Sequence, residues 1–171
     1  MRESIYISYR PYLIEFLERV SQIFEVVVFT ASEKEYASMV LNRIDPENKY
    51  ISHRLYRDSC LPLNGNYIKD LNVLGRDINK TIIIDNSIIA FSLNLDNAIP
   101  IHSFSGNKED RELFKLIEIM DYALNLNKSY PPNTLNLREY LTSMFGLKER
   151  INFWQAQWFA SAKINIQVNS S

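Results

Sequence analysis

The chain has 171 residues, of which 46% are apolar and 23% charged, and its formal net charge is -1 at pH 7. This length and composition predict one domain with a sizeable core and exclude an intrinsically disordered protein. The near-neutral charge gives no reason to expect nucleic-acid binding, and no apolar run is long enough for a membrane-spanning helix. The single cysteine, Cys60, excludes an internal disulfide, so we expect a protein of the nucleus or cytoplasm.

The chain opens with a strand-like segment, a helix and a second strand. Residues 5–9 alternate apolar and polar side chains and predict a short strand or extended segment. Apolar residues at helical spacing predict an amphipathic helix over residues 11–23. Residues 25–29, which contain three consecutive valines and a phenylalanine, predict a strand that is buried on both faces.

A second helix and a hairpin are predicted next. The helix is expected to begin with a capping box of Ser32 and Glu35 and to end at Asp45, which precedes a proline. Residues 50–56 favour a strand. Residues 61–68 predict a hairpin, because their central Asn-Gly pair supplies the positive φ that a tight turn needs.

The following segments complete an α/β pattern. Residues 70–79 predict a short helix or a loop, and residues 81–85 predict a second strand buried on both faces. Residues 98–101 predict a short edge strand because they contain a proline, and residues 108–126 predict a helix. The alternation predicts an α/β fold with an open, mostly parallel sheet and helices on both faces.

Two consecutive prolines, Pro131 and Pro132, indicate a boundary near the end of this pattern. We expect residues 1–127 to form one domain and residues 128–171 to form a helical or irregular C-terminal tail. The aromatic residues within 153–159 are expected to pack on the domain, with a partner site as the alternative.

Polar side chains follow the two predicted buried strands at the sheet edge where such folds bind ligands. Thr30 lies between a strand and a helix, where its hydroxyl and nearby N–H groups could bind phosphate. Lys69 offers a positive charge for a phosphoryl group. Asp85 and Asn86 offer the hard oxygen ligands that Mg²⁺ prefers. Together these residues predict a phosphoryl-transfer site.

The residue types alone leave simpler roles open. Thr30 could only cap a helix, Lys69 could be a surface charge, and Asp85 with Asn86 could form a turn. Cys60 and the two histidines of the chain are expected to be structural or surface residues, since no second ligand lies near them in the sequence.

Six short motifs carry a family resemblance, and they occupy residues 10–11, 29–32, 54–57, 65–71, 82–87 and 97–101. In this order and spacing they resemble the FCP/SCP-type phosphatases, the NLI-interacting-factor-like family of the haloacid-dehalogenase superfamily. The run of residues 68–77 is particularly similar to the CTD small phosphatase-like 2 branch. The resemblance covers about residues 5–126.

The resemblance implies a Rossmann-like three-layer fold with a small β insertion, here at about residues 50–68. It also implies a Mg²⁺-dependent protein serine/threonine phosphatase, in which an aspartate attacks the phosphoryl group and forms an aspartyl-phosphate. Thr30 and Lys69 match the phosphate-binding catalytic pair of the family. Asp85 and Asn86 match its metal-binding residues.

The resemblance further implies a phosphoprotein partner. Tyr36 and Arg57 match positions that contact the substrate peptide in this family. The expected partner is a phosphoserine or phosphothreonine protein, with the RNA polymerase II C-terminal repeat as one candidate, and neither nucleic acid nor a membrane is expected to bind directly.

One part of the family pattern does not occur in this sequence. The catalytic aspartates of the family lie in an Asp-x-Asp-x-Thr/Val signature on its first strand, and the 171 residues contain no Asp-x-Asp. In the family that strand is central, between the strands that end here at Thr30 and Asp85. We therefore expect the chain as given to lack the first central strand and the nucleophile, to be inactive, and to be unstable on its own.

Three hypotheses stay open at this point. The first is a phosphatase whose given sequence lacks its N-terminal segment. The second is a non-catalytic pseudophosphatase that binds phosphopeptides through Lys69 and Arg57. The third is a gene-model fragment without a stable product.

Overall fold

The structure is a computed structural model that describes residues 6–129, Glu139 and Ser143. Short strands and helices alternate along this part of the chain, which confirms the predicted α/β class. The helices and strands are α1 (Leu13–Ser21), β1 (Val27–Phe29), α2 (Lys34–Ile44), β2 (His53–Leu55), β3 (Leu61–Leu63), β4 (Asn66–Ile68), β5 (Ile83–Asp85), β6 (Ala98–Pro100) and α3 (Glu112–Ser129).

Most elements occupy the predicted segments but are shorter. Residues 6–9 form no strand, so only the extended alternative survives there. Every strand has three residues. The predicted strands were longer because an apolar run indicates burial and does not give the length of a hydrogen-bonded ladder. The predicted tail, residues 128–171, lies almost wholly outside the described residues. The domain boundary therefore stays a prediction.

The strands form three separate pairs, and the separation of β1 from β5 agrees with the expected lack of the strand between them. β1 pairs with β2 and β5 pairs with β6, both in parallel, while β3 and β4 form the predicted antiparallel hairpin. Within the described residues, no ladder hydrogen bond joins the β1–β2 pair to the β5–β6 pair. Of the predicted insertion, residues 61–68 form the hairpin, whereas β2 belongs to a parallel pair.

Side chains of β5 and β6 alternate between two apolar clusters. On one face Ile99 packs with Leu116 and Met120 of α3. On the other face Ile83 and Ala98 pack with residues of the segment 71–95. This period of two confirms a strand that is buried on both faces. The second face is covered by short 3₁₀ helices, in agreement with the short helix or loop that was predicted for residues 70–79.

Helix α1 connects the two parallel pairs through its side chains. Leu17 packs with Leu41 of α2 and with Ile51, below β1. Leu13 and Phe16 contact this cluster and also the cluster of α3 and β6. Apolar packing on α1 therefore helps to hold the two halves together, as does the ion pair of Arg76 with Glu25.

Two local predictions had different outcomes. The hairpin turn is confirmed, with positive φ of 49° at Asn64 and 77° at Gly65. The capping box is wrong, because α2 has Glu33 at its N-cap position without a side-chain cap. The backbone N–H of Ser32 instead donates to Thr30 Oγ1, and Glu33 is still extended, so the helix begins at Lys34.

No helix in the described part of the chain is long and apolar enough to cross a membrane.

Candidate functional site

Lys69 and Asp85 form an ion pair at the end of β5. The Lys69 ammonium contacts Asp85 Oδ2, and the two side chains are only 12% and 9% exposed. The Lys69 backbone N–H donates to the Ala90 carbonyl oxygen at 2.6 Å, which anchors the segment after β4 to the turn after β5. The structure therefore brings together two residues that the sequence placed in one site.

The Asp85 carboxylate keeps the capacity to bind a cation. Its Oδ1 accepts the Ser87 N–H at 2.8 Å, and its Oδ2 accepts from Lys69. A carboxylate offers about four lone-pair positions, so these two donors do not saturate it. The ion pair holds the carboxylate in a fixed orientation at the strand end.

Asn86 lies next to Asp85 and is exposed. Its Nδ2 donates to Ser103 Oγ at 3.0 Å, so the carboxamide oxygen is the atom left for a ligand. Two adjacent hard oxygens suit Mg²⁺, which is held by one or two carboxylates and keeps several waters. Among the described residues, no cluster of three or more His, Cys, Asp or Glu side chains could hold a metal. The donors present fit a magnesium ion that is held mainly by water and substrate oxygens.

Thr30 lies at the end of β1, at the start of the turn that leads to α2. Its backbone N–H donates to the Leu55 carbonyl oxygen at 2.9 Å, and its Oγ1 accepts the Ser32 N–H at 3.1 Å. Because the hydroxyl acts as an acceptor in that bond, its proton can be donated to an anion.

Arg57 packs against the same turn. Its Nε donates to the Ala31 carbonyl oxygen at 2.6 Å, and its backbone N–H donates to the Ser32 carbonyl oxygen at 3.1 Å. The guanidinium also pairs with Glu33 and lies 4.9 Å from the ring centroid of Tyr67 on β4. Arg57 therefore joins the turn after β1 to the hairpin.

Cys60, which the sequence assigned to a structural role, is buried against the end of β1. Its Sγ is 3.7 Å from the Thr30 carbonyl oxygen, within hydrogen-bond range for a thiol. Burial raises the pKa of the thiol, although the nearby charges of Lys69 and Arg57 oppose the increase. The thiol is therefore protonated and a weak nucleophile at neutral pH. Cys60 therefore supports the turn after β1 and has no catalytic role in this arrangement.

Tyr36 is the predicted site residue that the structure leaves apart. It lies in α2 and is 47% exposed. Within residues 6–129, no hydrogen bond or ring contact joins it to Thr30, Arg57 or Lys69. Its role in substrate contact stays a prediction.

The chain is similar in sequence to known phosphatases. The family described as NLI interacting factor-like phosphatase matches residues 1–130. CTD small phosphatase-like protein 2 of Dictyostelium discoideum is 48% identical over 127 residues, which are 74% of this chain and 22% of that protein. Carboxy-terminal domain RNA polymerase II polypeptide A small phosphatase 1 of Homo sapiens is 38% identical over 126 residues, which are 74% of this chain and 48% of that protein.

The fold is also similar to a solved structure. The structure of Fcp1, an essential RNA polymerase II CTD phosphatase, matches with a TM-score of 0.50 at 22% identity, over 88% of this chain and 48% of that chain. At this identity the likeness concerns the fold alone, which is the haloacid-dehalogenase type expected from the sequence. The chain spans half or less of the length of each of these proteins.

Proposed function

This chain belongs to the NLI interacting factor-like phosphatase family, and on that basis we propose that it carries the phosphate-binding and metal-binding side of a Mg²⁺-dependent protein serine/threonine phosphatase. The observation that supports this most is the nearly buried contact between Lys69 and Asp85, with Asn86 beside it. A buried ammonium next to two oxygen ligands suits a phosphoryl group bound together with a metal ion.

Each residue has a chemical role in this proposal. The Lys69 ammonium neutralises charge on the phosphoryl oxygens, and the Thr30 hydroxyl donates a hydrogen bond to one of them. Asp85 and Asn86 would hold magnesium, which supplies charge neutralisation when it is bound. The family mechanism proceeds through an aspartyl-phosphate. Because the sequence contains no Asp-x-Asp, we assign binding and charge neutralisation to these residues, and not nucleophilic attack.

The proposed substrate is a phosphoserine or phosphothreonine protein. Arg57 is held between the turn after β1 and Tyr67 of the hairpin, close to the phosphate-binding residues. Arg57 and the exposed Tyr36 are therefore proposed to contact the peptide around the phosphate. The RNA polymerase II C-terminal repeat is one candidate, and a place of action in the nucleus or cytoplasm fits such substrates.

A second candidate is a phosphopeptide-binding module without catalysis. The phosphate-side ion pair is complete, while the sequence has no Asp-x-Asp nucleophile signature. Binding of a phosphopeptide requires the phosphate-binding residues and does not require the nucleophile.

A phosphopeptide assay on the 171-residue chain tests the proposal. The chain is fused to a soluble carrier protein, and the carrier alone serves as the blank. We expect a phosphoserine peptide to bind more tightly than its unphosphorylated form in fluorescence anisotropy. Lys69→Met should weaken this binding about tenfold or more, because a charge-assisted contact is lost. Lys80→Met, which removes an exposed lysine, is the matched control.

Release of inorganic phosphate in the presence of Mg²⁺ separates the two candidates. Release would establish the enzyme, whereas binding without release would establish the module. Equal affinity for the two peptides, or a Lys69→Met variant that binds as well as the parent chain, would overturn both.

A further inference from the structure

The loop after β6 reaches the metal-binding side of the site. β5 and β6 are parallel, with Asp85 opposite Pro100, so the segments after both strands leave the same edge. The Ile101 N–H donates to the Asp85 carbonyl oxygen at 3.1 Å, which continues the ladder by one step. Two residues later, Ser103 Oγ accepts the Asn86 Nδ2 hydrogen bond at 3.0 Å.

This contact determines which atom of Asn86 faces a ligand. A carboxamide has one oxygen, which can bind a metal, and one NH₂ group, which cannot. When Ser103 holds the NH₂ group, the oxygen points away from the serine. Without that contact, the exposed amide is free to rotate and to offer either end.

The Ser103 loop is in turn held by Arg10, from the opposite end of the described chain. Arg10 Nη2 donates to the His102 carbonyl oxygen at 2.7 Å, and the guanidinium forms a two-pronged ion pair with Asp110 at 2.9 and 2.8 Å. The two charged side chains are each 12% exposed. The guanidinium carbon also lies 5.6 Å from the ring centroid of Phe104. Both neighbours of Ser103 are thus fixed by one nearly buried guanidinium.

We infer that Ser103, held by the Arg10–Asp110 ion pair, is a positioning residue that orients the Asn86 carboxamide oxygen toward the metal ion. The inference rests on the proposed function, because it concerns the same metal site. Outer hydrogen bonds of this kind typically change metal affinity by about 10- to 100-fold. Ser103 is exposed, so we expect an effect at the lower end of this range.

Manganese binding measures this effect without any catalytic assay. Mn²⁺ is titrated into the carrier-fused 171-residue chain, and free Mn²⁺ is followed by electron paramagnetic resonance, with the carrier alone as the blank. We expect Ser103→Ala to weaken Mn²⁺ binding about tenfold, and Ser103→Thr, which keeps the hydroxyl, to stay within about twofold of the parent chain. Ser105→Ala is the matched control, because Ser105 is exposed and makes no side-chain hydrogen bond within residues 6–129. Metal-free phosphopeptide binding should be the same in Ser103→Ala and in the parent chain.

The outcomes separate this inference from the proposed function. If Asn86→Ala loses Mn²⁺ binding while Ser103→Ala keeps it, the role of Ser103 is refuted and the metal site stands. If the parent chain binds no Mn²⁺, or Asn86→Ala binds it equally well, the metal site is refuted and the role of Ser103 with it. Arg10→Gln should also weaken Mn²⁺ binding. The Arg10→Gln/Ser103→Ala double variant should bind Mn²⁺ about as tightly as whichever single variant has the lower affinity. If the losses of Mn²⁺ affinity caused by Arg10→Gln and Ser103→Ala are additive, Arg10 does not act through Ser103.

Discussion

At the scale of single residues, the contact between Lys69 and Asp85 has consequences for stability as well as for ligand binding. Both side chains are nearly buried, so each charge has lost most of its hydration. Removing one partner of such a pair leaves the other charge without compensation in a site of low polarity. Exposed ion pairs such as Arg57 with Glu33 carry no comparable penalty, because water solvates the remaining charge.

A double-mutant cycle on this pair should reveal strong coupling. We expect Lys69→Met to lower the free energy of unfolding by about 3 kcal/mol, since it leaves the Asp85 carboxylate unpaired. Asp85→Asn in the Lys69→Met background should recover part of that loss, because it removes the uncompensated charge. Urea denaturation of the parent chain, the Lys69→Met and Asp85→Asn single variants and the double variant measures both effects. Additive losses within about 0.5 kcal/mol would mean that the two residues do not interact energetically.

A second residue-scale prediction concerns Asp45 and pH. Asp45 is 1% exposed, and its carboxylate accepts the backbone N–H groups of Lys49, Tyr50 and Ile51 at 2.8, 3.0 and 2.8 Å. Burial raises the pKa of Asp45, but the three N–H donors and the Arg54 charge together outweigh it, so the pKa is below its ordinary value. A carboxyl group with a lowered pKa in the folded state stabilises the fold above its unfolded pKa, and this stabilisation is lost as the pH falls.

Asp45→Asn should therefore destabilise the chain most at neutral pH. The difference in unfolding free energy between the parent chain and the variant should shrink as the pH falls from about 5 to about 3. Urea denaturation at pH 7, 5, 4 and about 3 gives this difference directly, and other carboxylates cancel in the comparison. A difference that stays constant or grows toward acid pH would contradict the lowered pKa.

What the sequence could predict at this scale depends on how local the signal is. Thr30, Lys69, Asp85 and Asn86 follow strand patterns or match family motifs, so the sequence alone could propose them as site residues. The sequence did not suggest Ser103, because its hydrogen bond is with a side chain 17 positions away. The Arg10 pair with Asp110 spans 100 positions, and no short-range pattern signals such a contact.

At the scale of elements, the hairpin was predictable and the start of α2 was not. An Asn-Gly pair between apolar runs specifies a turn by backbone conformation alone, so tertiary contacts are not needed to form it. Ser32 and Glu35 have the spacing of a capping box, but the N–H of Ser32 is already bound by Thr30 Oγ1. A competing hydrogen bond from the preceding residues thus shifted the helix start.

Substitutions at Gly65 test whether the hairpin turn requires a positive φ at this position. Its φ is 77°, and a Cβ added there would meet nothing within 4 Å, so any cost of a substitution comes from the backbone. Gly65→Ala should lower the unfolding free energy by about 1 kcal/mol, because an L-residue is strained at positive φ. Gly65→Asn should cost less, since asparagine tolerates this region. Urea denaturation of the two variants measures the difference, and equal costs would rule out the positive φ as the cause.

At the scale of the whole molecule, the two parallel pairs of strands are connected by side-chain contacts, and no ladder hydrogen bond joins them within the described residues. The sequence predicted the strands from their apolar runs, but such runs do not specify which edges are joined. Within the described residues, β1 pairs only with β2 and β5 pairs only with β6. Leu13 and Phe16 of α1 contact the apolar clusters of both halves. The two halves are therefore joined by packing on α1 and by the ion pair of Arg76 with Glu25.

This arrangement bears on the stability of the 171-residue chain by itself. Within the described residues, each strand pair leaves edge N–H and C=O groups without a ladder partner, and such a group costs roughly 1–3 kcal/mol where it is buried. Several such groups are comparable to the roughly 5–15 kcal/mol that stabilise a typical domain. Open strand edges also allow pairing with other molecules. We therefore predict that the purified chain, cleaved from its carrier, melts below the roughly 45–65 °C range of typical domains and that its light scattering rises with protein concentration. Circular dichroism during heating and sedimentation velocity at several concentrations test both statements, with the uncleaved fusion as the control for solubility. A sharp, reversible transition of a monomer within that range would contradict the prediction and would mean that the contacts between the two halves are enough to hold them together.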